Sequence, residues 1–357
     1  MNYTIGGIQQ IGIGVSDVHA AWKWYRQHFN MDVPIFEEAA TAELMLPYTD
    51  NKPQSRHAVL ALNRVGGAGM EIWQYTNRTP VGPDFEIQAG DLGLYACRIK
   101  CEDVAKAEES LRAKGVKILS NTQKDPGGKP VLWVEDPYGN PFQLHSSDDW
   151  FRPKTENIGG PSGCVIGVSD IDKSQAFYAK LLGYDQVIYD ETGTFGDLAG
   201  MPSGNGRFRR MLITHSKPMR GPFAPMLGHT SLELIQALDR EPQKIFEGRL
   251  WGDLGYIHLC YDIQNMDALR DYCAEIGHPF TVDSATALGK SFDMGEAAGL
   301  FSYIEDPDGT LLEFVETHKV PIAKKWNFYL NLKKRKDASK PLPRWMLKAM
   351  ALNRVKD

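Results

Sequence analysis

The chain carries one sequence pattern four times, and this repetition limits its possible folds more than any other feature. A repeat with a period of about 75–90 residues makes each copy a supersecondary unit that packs beside its neighbours. The matching segments are Ile13–Asp17 with Ile166–Asp170, Gly90–Gly93 with Gly252–Gly255, and Glu135–Pro137 with Glu305–Pro307.

Each copy has the pattern of a strand, a helix and three further strands. In the first copy a glycine-punctuated apolar strand begins at Ile8, and Asp17 is placed to cap a helix over residues 18–29. The apolar residues of that helix recur close to the 3.6-residue period. In the second copy, Asp136-Pro137-Tyr138-Gly139 is a turn signal, because proline fixes φ and glycine accepts positive φ. The sequence therefore predicts a βαβββ module.

Four βαβββ modules predict a protein of the α+β class. One module leaves a face of its small sheet uncovered, so we expect the modules to pair into two curled eight-stranded mixed sheets, each around a cleft. We expect two modules within residues 1–150, two within 158–317, and a tail over 318–357. The predicted module bounds are about 7–75, 91–147, 160–237 and 252–317.

The composition is that of a soluble globular protein, with 42% hydrophobic and 24% charged residues among 357. No apolar run approaches the roughly 20 residues that span a bilayer, and the first residues lack the pattern of a secretory signal. The five cysteines are too few for a disulfide framework. We therefore expect buried or half-buried free thiols and a cytoplasmic location.

The tail differs from the body in charge. From His318 onward there are 12 Lys and Arg residues against 2 Asp and Glu, whereas the preceding residues have 28 against 43. A basic tail is expected to dock on an acidic body, with a short amphipathic helix over 345–352. Attachment to a membrane surface and a lid over a cleft are the alternatives. Nucleic-acid binding is not expected for so acidic a body.

In these features the chain resembles the vicinal oxygen chelate superfamily, which includes glyoxalase I, bleomycin-resistance proteins, extradiol dioxygenases and methylmalonyl-CoA epimerase. The resemblance rests on the four βαβββ modules, on Ser-Asp before a helix, and on Asp-Pro-x-Gly before a final strand, and it covers residues 7–317. It indicates the fold strongly. It indicates the activity only broadly, because one fold supports several chemistries.

The resemblance implies a divalent metal in a cleft, bound by residues at fixed positions of each module. These positions are a first-strand residue upstream of the helix cap and a glutamate in the last strand. His258 is the only histidine among the first-strand positions, so His258 and Glu313 are expected ligands under any pairing of modules. The first-strand positions are Gln10, Ala96, Gly163 and His258, and the last-strand positions are Glu71, Gln143, Glu233 and Glu313.

Two pairings of the modules are open. If the first module shares a cleft with the fourth, the resemblance implies the set Gln10, Glu71, His258 and Glu313, similar to that of glyoxalase I from animals and yeast. This pairing is favoured because it leaves one intact set and one that has lost its ligands. If the third module pairs with the fourth, Glu233 takes the place of Gln10 and Glu71.

The implied function is that of a metal-dependent enzyme of the glyoxalase-like type, a lyase, isomerase or epimerase. One divalent ion (Zn, Ni, Mn or Fe) would polarise two neighbouring oxygens of a small substrate and stabilise an enediolate, with Glu313 or Glu71 as general base. The second hypothesis is an iron-dependent extradiol dioxygenase, although Gly163 stands where a second histidine is expected. The third is a metal-free protein that binds a small ligand. A monomer and a homodimer are both compatible with four modules.

Polar residues outside these sets are expected to be structural. His229 lies too far along its strand to share a metal with Glu233, so we expect it at the surface or in a pocket. His145 is a minor candidate for a ligand in the second cleft. We expect structural or cleft-lining positions for His57 and His215, and a solvated strand edge for Arg207, Arg209 and Arg210.

Overall fold

The computed structural model describes residues 2–153, 155–289, 291–293 and 295–355. Its first two modules each have one helix and four strands, in the predicted order. The first module comprises β1 (Thr4–Gly14), α1 (Val18–Phe29), β2 (Val33–Ala42), β3 (Gln54–Leu62) and β4 (Gly69–Tyr75). The second comprises β5 (Gly93–Cys101), α2 (Val104–Ala113), β6 (Lys117–Lys124), β7 (Pro130–Glu135) and β8 (Pro141–Ser146).

The third and fourth modules follow the same order with short additions. The third comprises β9 (Ile158–Gly167), α3 (Ile171–Leu182), β10 (Gln186–Gly193), β11 (Phe208–Thr214), α4 (Ala224–Leu227) and β12 (Ser231–Ala237). The fourth comprises β13 (Gly255–Gln264), α5 (Met266–Glu275), β14 (Val282–Asp283), α6 (Ser284–Leu288), β15 (Phe292–Asp293), β16 (Ala298–Glu305) and β17 (Leu311–Ala323). The tail adds β18 (Phe328–Asn331), α7 (Arg344–Ala349) and a 3-10 helix over Met350–Asn353.

The modules pair outer with outer and inner with inner. One sheet runs β14-β16-β17-β13-β1-β4-β3-β2, with β15 and β18 as short additions, and we call it the outer sheet. The other runs β10-β11-β12-β9-β5-β8-β7-β6, and we call it the inner sheet. The α+β class and the two curled mixed sheets with eight-stranded paths are thus confirmed, as is the favoured pairing of the first module with the fourth. Each sheet draws on both halves of the chain.

The recurring Ser-Asp pair sets the start of two helices. Asp17 accepts a hydrogen bond from the backbone N–H of Ala20 at 2.9 Å, which satisfies one donor of the first turn of α1. Asp170 makes the equivalent contact at the start of α3. Both helices end in the left-handed region, at Asn30 with φ 53° and at Gly183 with φ 79°. The helix bounds therefore follow from local chemistry.

The aspartates of the repeated turn tie the two sheets together. Asp136 accepts from backbone N–H groups of its own turn and from the hydroxyl of Tyr25, 2.6 Å away on α1. Asp306 does the same in the fourth module, where the hydroxyl of Tyr178 on α3 lies 2.8 Å away. Each turn thus joins an outer module to an inner one through a buried charge-assisted hydrogen bond.

The main apolar core is shared by all four modules. Its buried members include Ile11, Cys97, Ile166 and Leu259, one from the first strand of each module. All five cysteines are buried and free, which confirms that prediction. In the part of the chain that the structure describes, no helix has the length and apolarity to cross a membrane.

The tail docks on the body, as its charge predicted. Strand β18 pairs with the extended end of β17. The guanidinium of Arg344 donates to the carbonyl of Phe151 at 2.6 Å, and Arg354 Nε donates to Asp32 Oδ2 at 2.7 Å. The predicted helix over 345–352 is shorter than expected, because α7 ends at Ala349 and the chain continues as a 3-10 helix.

One buried carboxylate in the outer sheet has no hydrogen-bond partner among the described residues. Asp262 on β13 is fully buried, and both of its oxygens lack a donor. It packs directly against the backbone of Gly6, where a Cβ would approach Oδ2 to 2.1 Å. Burial raises the pKa of Asp262 to about 8, against an opposing effect of the nearby Gln9 and with a smaller contribution from Glu316.

We expect Asp262→Asn to stabilise the protein at pH 8 but to change its stability little at pH 4. The folded pKa lies above the unfolded one, so the native state retains the proton and stability falls as pH rises from about 4 to about 8. The amide matches the carboxyl in size and stays neutral, so the gain at pH 8 should be on the order of 1 kcal/mol or more. Urea unfolding at the two pH values measures it. Asp271→Asn, an exposed site on α5, is the control. Equal effects of Asp262→Asn at both pH values would contradict the prediction.

Candidate metal centre

The four central strands of the outer sheet each contribute one polar side chain to its concave face. Glu313 is on β17, His258 on β13, Gln10 on β1 and Glu71 on β4, and these strands are neighbours in that order. The exposed fractions of these side chains are small, from 0% for His258 to 9% for Glu71. The structure thus brings together the set predicted for the outer pairing.

Gly12 makes room for the imidazole between these strands. In the register of the sheet it lies opposite His258 on β13 and opposite Glu71 on β4. A Cβ at position 12 would lie 2.5 Å from His258 Cε1, closer than atoms approach. The glycine therefore allows the ring to lie over β1 with its Nε2 toward the two carboxylates.

The polar atoms of the four side chains converge on a small volume. His258 Nε2 lies 3.2 Å from Glu71 Oε2 and 3.1 Å from Glu313 Oε2. Gln10 Nε2 donates to the same two oxygens, at 2.9 Å and 3.4 Å. The ligand atoms of Glu71, His258 and Glu313 all lie within 4.8 Å of one another.

The two carboxylates dominate the electrostatics of the site. Burial favours the neutral imidazole, but Glu313 and Glu71 outweigh it and raise the pKa of His258 to about 10. Burial likewise opposes ionisation of Glu71, yet His258 and Arg56 outweigh it and lower the pKa of Glu71. The site is thus built for a positive charge in contact with both carboxylates.

Two aromatic residues contact the imidazole of His258. The hydroxyl of Tyr303 lies 3.4 Å from His258 Nδ1, the nitrogen that faces away from the carboxylates. The ring of Trp251 lies nearly parallel to the imidazole, at 12° and with centroids 6.1 Å apart. A partner on one nitrogen fixes which nitrogen is presented to a metal.

The donor atoms fit a divalent metal ion. Among the described residues His258 Nε2 is buried without an aligned hydrogen-bond acceptor, although two carboxylate oxygens lie near it. The imidazole nitrogen and the carboxylate oxygens are directed at a common point rather than at each other. Metal ligands are arranged in this way. One imidazole, two carboxylates and an amide oxygen suit zinc, nickel, manganese or iron. The amide of Gln10 presents oxygen instead of nitrogen after a flip.

A cavity of about 350 Å³ opens over the site. Gln10, Glu71 and Glu313 form part of its floor. Its walls are mostly apolar and aromatic, and they include Ile35, Phe36, Leu60, Leu62, Trp73 and Trp251.

The inner sheet has a different arrangement at the equivalent positions. Glu233 and Gln143 correspond to Glu71 and Glu313, but Ala96 and Gly163 stand where His258 and Gln10 stand in the outer sheet. Arg210 on β11 fills the space instead. Its Nε donates to Glu233 Oε1 at 2.6 Å, and its two terminal nitrogens donate to Asp197 at 2.6 and 2.9 Å.

This network corrects two expectations. Arg210 was expected along a solvated strand edge, but its side chain is fully buried, because it neutralises two buried carboxylates. Glu233 was the alternative partner of His258, but it lies on the other sheet and its charge is matched by Arg210. Burial opposes the charge of Glu233, and Arg210 and Arg98 outweigh burial and lower the pKa of Glu233.

The other polar candidates lie outside both arrangements. His145 Nε2 contacts Ser162 Oγ at 2.7 Å, His215 is buried against the carbonyl of Gly183, and His229 is exposed. His57 is on the face of the outer sheet that carries α1, where it lies near His19 and Glu37 in a partly exposed cluster. Arg209, unlike Arg210, pairs with exposed carboxylates.

Comparison with known proteins places the chain in a family. The sequence model of the Glyoxalase/Bleomycin resistance protein/Dioxygenase superfamily matches residues 7–144 and 161–314. The chain therefore belongs to this superfamily, whose members act on small molecules and generally use a divalent metal.

The individual relatives share only limited sequence identity with the chain. The chain is 32% identical over 88 residues to a probable chloroplastic lactoylglutathione lyase of Arabidopsis thaliana, a match that spans 24% of this chain and only 23% of that protein. A glyoxalase I variant from Zea mays has a similar fold, with a TM-score of 0.55, 17% identity, and coverage of 87% of this chain and 93% of its own. A putative dioxygenase from Bacillus subtilis has a TM-score of 0.53, 14% identity, and coverage of 88% and 86%. These structural likenesses show the fold.

We expect Arg210→Met to destabilise the protein by about 3–5 kcal/mol, because it leaves two buried carboxylates without a cation. Arg209→Met is the matched control on the same strand, and the loss of its partly exposed ion pairs should cost about 1 kcal/mol or less. Chemical denaturation measures both variants. Similar stability losses would contradict the assignment of Arg210 as the internal cation of the inner sheet.

Proposed function

We propose that the chain is a divalent-metal-dependent enzyme of the glyoxalase-like type, which moves a proton on a small substrate with neighbouring oxygens. The observation that carries the proposal is the convergence of His258 Nε2 with two carboxylate oxygens, at 3.2 and 3.1 Å, beneath a cavity. Such an enzyme would be a lyase, an isomerase or an epimerase. Family membership supports a metal and a small-molecule substrate.

Gln10, Glu71, His258 and Glu313 would hold the metal. When bound, the metal supplies a Lewis acid that polarises neighbouring oxygens of the substrate. The apolar walls exclude water from the reacting atoms and so strengthen the electrostatic interactions within the site.

Glu71 and Glu313 are the candidates for the general base. Both border the cavity, so either carboxylate can reach a proton on a substrate carbon. Tyr303 and Trp251 orient His258 and leave its Nε2 directed at the site. The set has one imidazole and two carboxylates, whereas non-haem iron oxygenases commonly use two histidines and one carboxylate. This difference favours proton transfer over oxygen chemistry.

We expect the purified chain to bind one divalent ion, and His258→Ala and Glu313→Ala to weaken binding at least about 100-fold, since even outer-shell changes cost 10–100-fold. Protein stripped with chelator is titrated with zinc, nickel and manganese by calorimetry, and the bound metal is counted by mass spectrometry. Glu71→Ala should weaken binding in the same way, whereas Glu233→Gln should leave it unchanged. A thermal melt of each variant checks that the fold is retained. Retention of metal by His258→Ala, or its loss in Glu233→Gln alone, would contradict this site.

We also expect Glu71→Gln or Glu313→Gln to slow proton exchange at least about 100-fold without loss of the metal, because the amide keeps an oxygen donor but is no base. The readout is loss of the α-proton signal of a small hydroxyketone in D₂O, followed by NMR with metal-loaded protein. If both variants exchange the proton as fast as the parent chain does, neither carboxylate is the base. Oxygen uptake with catechols, instead of exchange, would favour a dioxygenase.

A further inference from the structure

The cavity over the metal centre is also lined by residues from outside the two modules that form its floor. Phe223, Met226 and Leu227 come from the α4 region of the third module, and Met350 comes from the tail. We call these four residues the cleft roof. They form an apolar cluster with the side chains of the walls.

Backbone hydrogen bonds hold the cleft roof in place on both sides. The carbonyl of Met226 accepts from the N–H of Gly67 at 2.9 Å. The N–H of Leu342 in the tail donates to the carbonyl of Pro222 at 2.9 Å, and that of Val355 donates to the carbonyl of Asp32 at 2.9 Å. The roof is therefore part of the folded body.

The floor of the cavity carries the carboxylates and amide of the metal centre, and the roof is apolar. Most wall residues are apolar too, and the polar residues among them are Gln9, Glu38, Thr41, Glu43, Arg56 and Thr317. Among the described residues Arg56 is the one cationic side chain along the cavity, and it is already paired. Its Nη2 lies 2.9 Å from Glu38 Oε2, and its Nη1 donates to the carbonyl of Glu38 at 3.0 Å.

We propose that the substrate is an uncharged molecule with two neighbouring oxygens at one end and a compact aryl or alkyl body at the other. This inference rests on the proposed function, because the metal centre sets which end carries the oxygens. A carboxylate on the body would lose its hydration against apolar walls without a partner, which is costly. A volume of about 350 Å³ is at the lower end for small-molecule sites, so the body has the size of one or two rings.

Hydroxamates test the proposal because they share one O,O-chelating group and differ in the body. Calorimetry with zinc-loaded protein compares acetohydroxamate, benzohydroxamate and the anionic glutaric monohydroxamate. Benzohydroxamate should bind at least about tenfold tighter than acetohydroxamate, since a buried phenyl ring contributes that much through its apolar surface. The glutaric compound should bind no tighter than acetohydroxamate.

Met226→Gln and Met350→Gln keep the length of the side chain but place an amide in the cleft roof. Each substitution should lower the ratio of the benzohydroxamate affinity to the acetohydroxamate affinity at least about threefold. The affinity for acetohydroxamate itself should stay unchanged. Met346→Gln, in the same tail but outside the cavity, is the matched control. Equal affinities for the aryl and methyl compounds, or tighter binding of the glutaric one, would overturn the proposal.

A metal-free arm separates this inference from the metal centre. The neutral fluorescent probe N-phenyl-1-naphthylamine is titrated into chelator-stripped protein and into the same variants. Binding that Met226→Gln weakens, with no binding of any hydroxamate to zinc-treated protein, would support the apolar body and contradict the proposed metal centre. No binding of the probe and no preference among the hydroxamates would overturn the inference itself.

Discussion

Carboxylates buried on the concave faces of the two sheets require a positive charge, and the rest of the site follows from how each sheet provides it. In the inner sheet the guanidinium of Arg210 contacts Glu233 and Asp197 from within the chain. In the outer sheet Glu71 and Glu313 face the imidazole of His258 and an open cavity. Ionised groups this deeply buried are costly unless they are paired or bind a metal. The duplicated modules thus contain one fixed cation and one site that suits an exchangeable cation.

The pairing of modules explains why only one of the two sheets has this site. Because the first module meets the fourth, Gln10 and Glu71 lie beside His258 and Glu313 on adjacent strands. The other two modules meet each other, and their equivalent positions are packed by Arg210 and Arg98. The tail and α4 then cover the outer cleft with apolar side chains. A repeat that is symmetric in backbone has therefore diverged in side chains into a structural half and a half suited to binding.

Much of the fold could be predicted because its signals are local. Helix caps such as Asp17, turns such as that of Asp136, and the register of the repeats are all encoded within a few residues. The candidate ligand positions came from the resemblance to the superfamily, and the repeats gave their residue numbers because the positions recur in each module. The choice of partners was less certain, because Gln10 and Glu313 meet across 303 positions of the chain.

Arg210 and the cleft roof could not be predicted on these grounds. Strand alternation places Arg210 on one face of β11 but does not show that this face is buried against Asp197, which belongs to a separate segment. In the register of the sheet Arg210 lies opposite Ile235, two residues from Glu233 and on the same face, and this spacing is the signal that could have suggested an ion pair. The tail lies outside the repeat, so nothing in the module pattern indicates where Met350 packs. Long-range packing of unrepeated segments, rather than local propensity, decides these features.

Anomalous diffraction from a crystal grown with zinc, recorded at the zinc absorption edge, would show directly which sheet binds the metal. We expect one strong peak among Gln10, Glu71, His258 and Glu313, and no peak between Arg210 and Glu233. A structure without a peak at His258, or with zinc bound at Glu233, would contradict the division of the two sheets into a metal-binding half and a structural half.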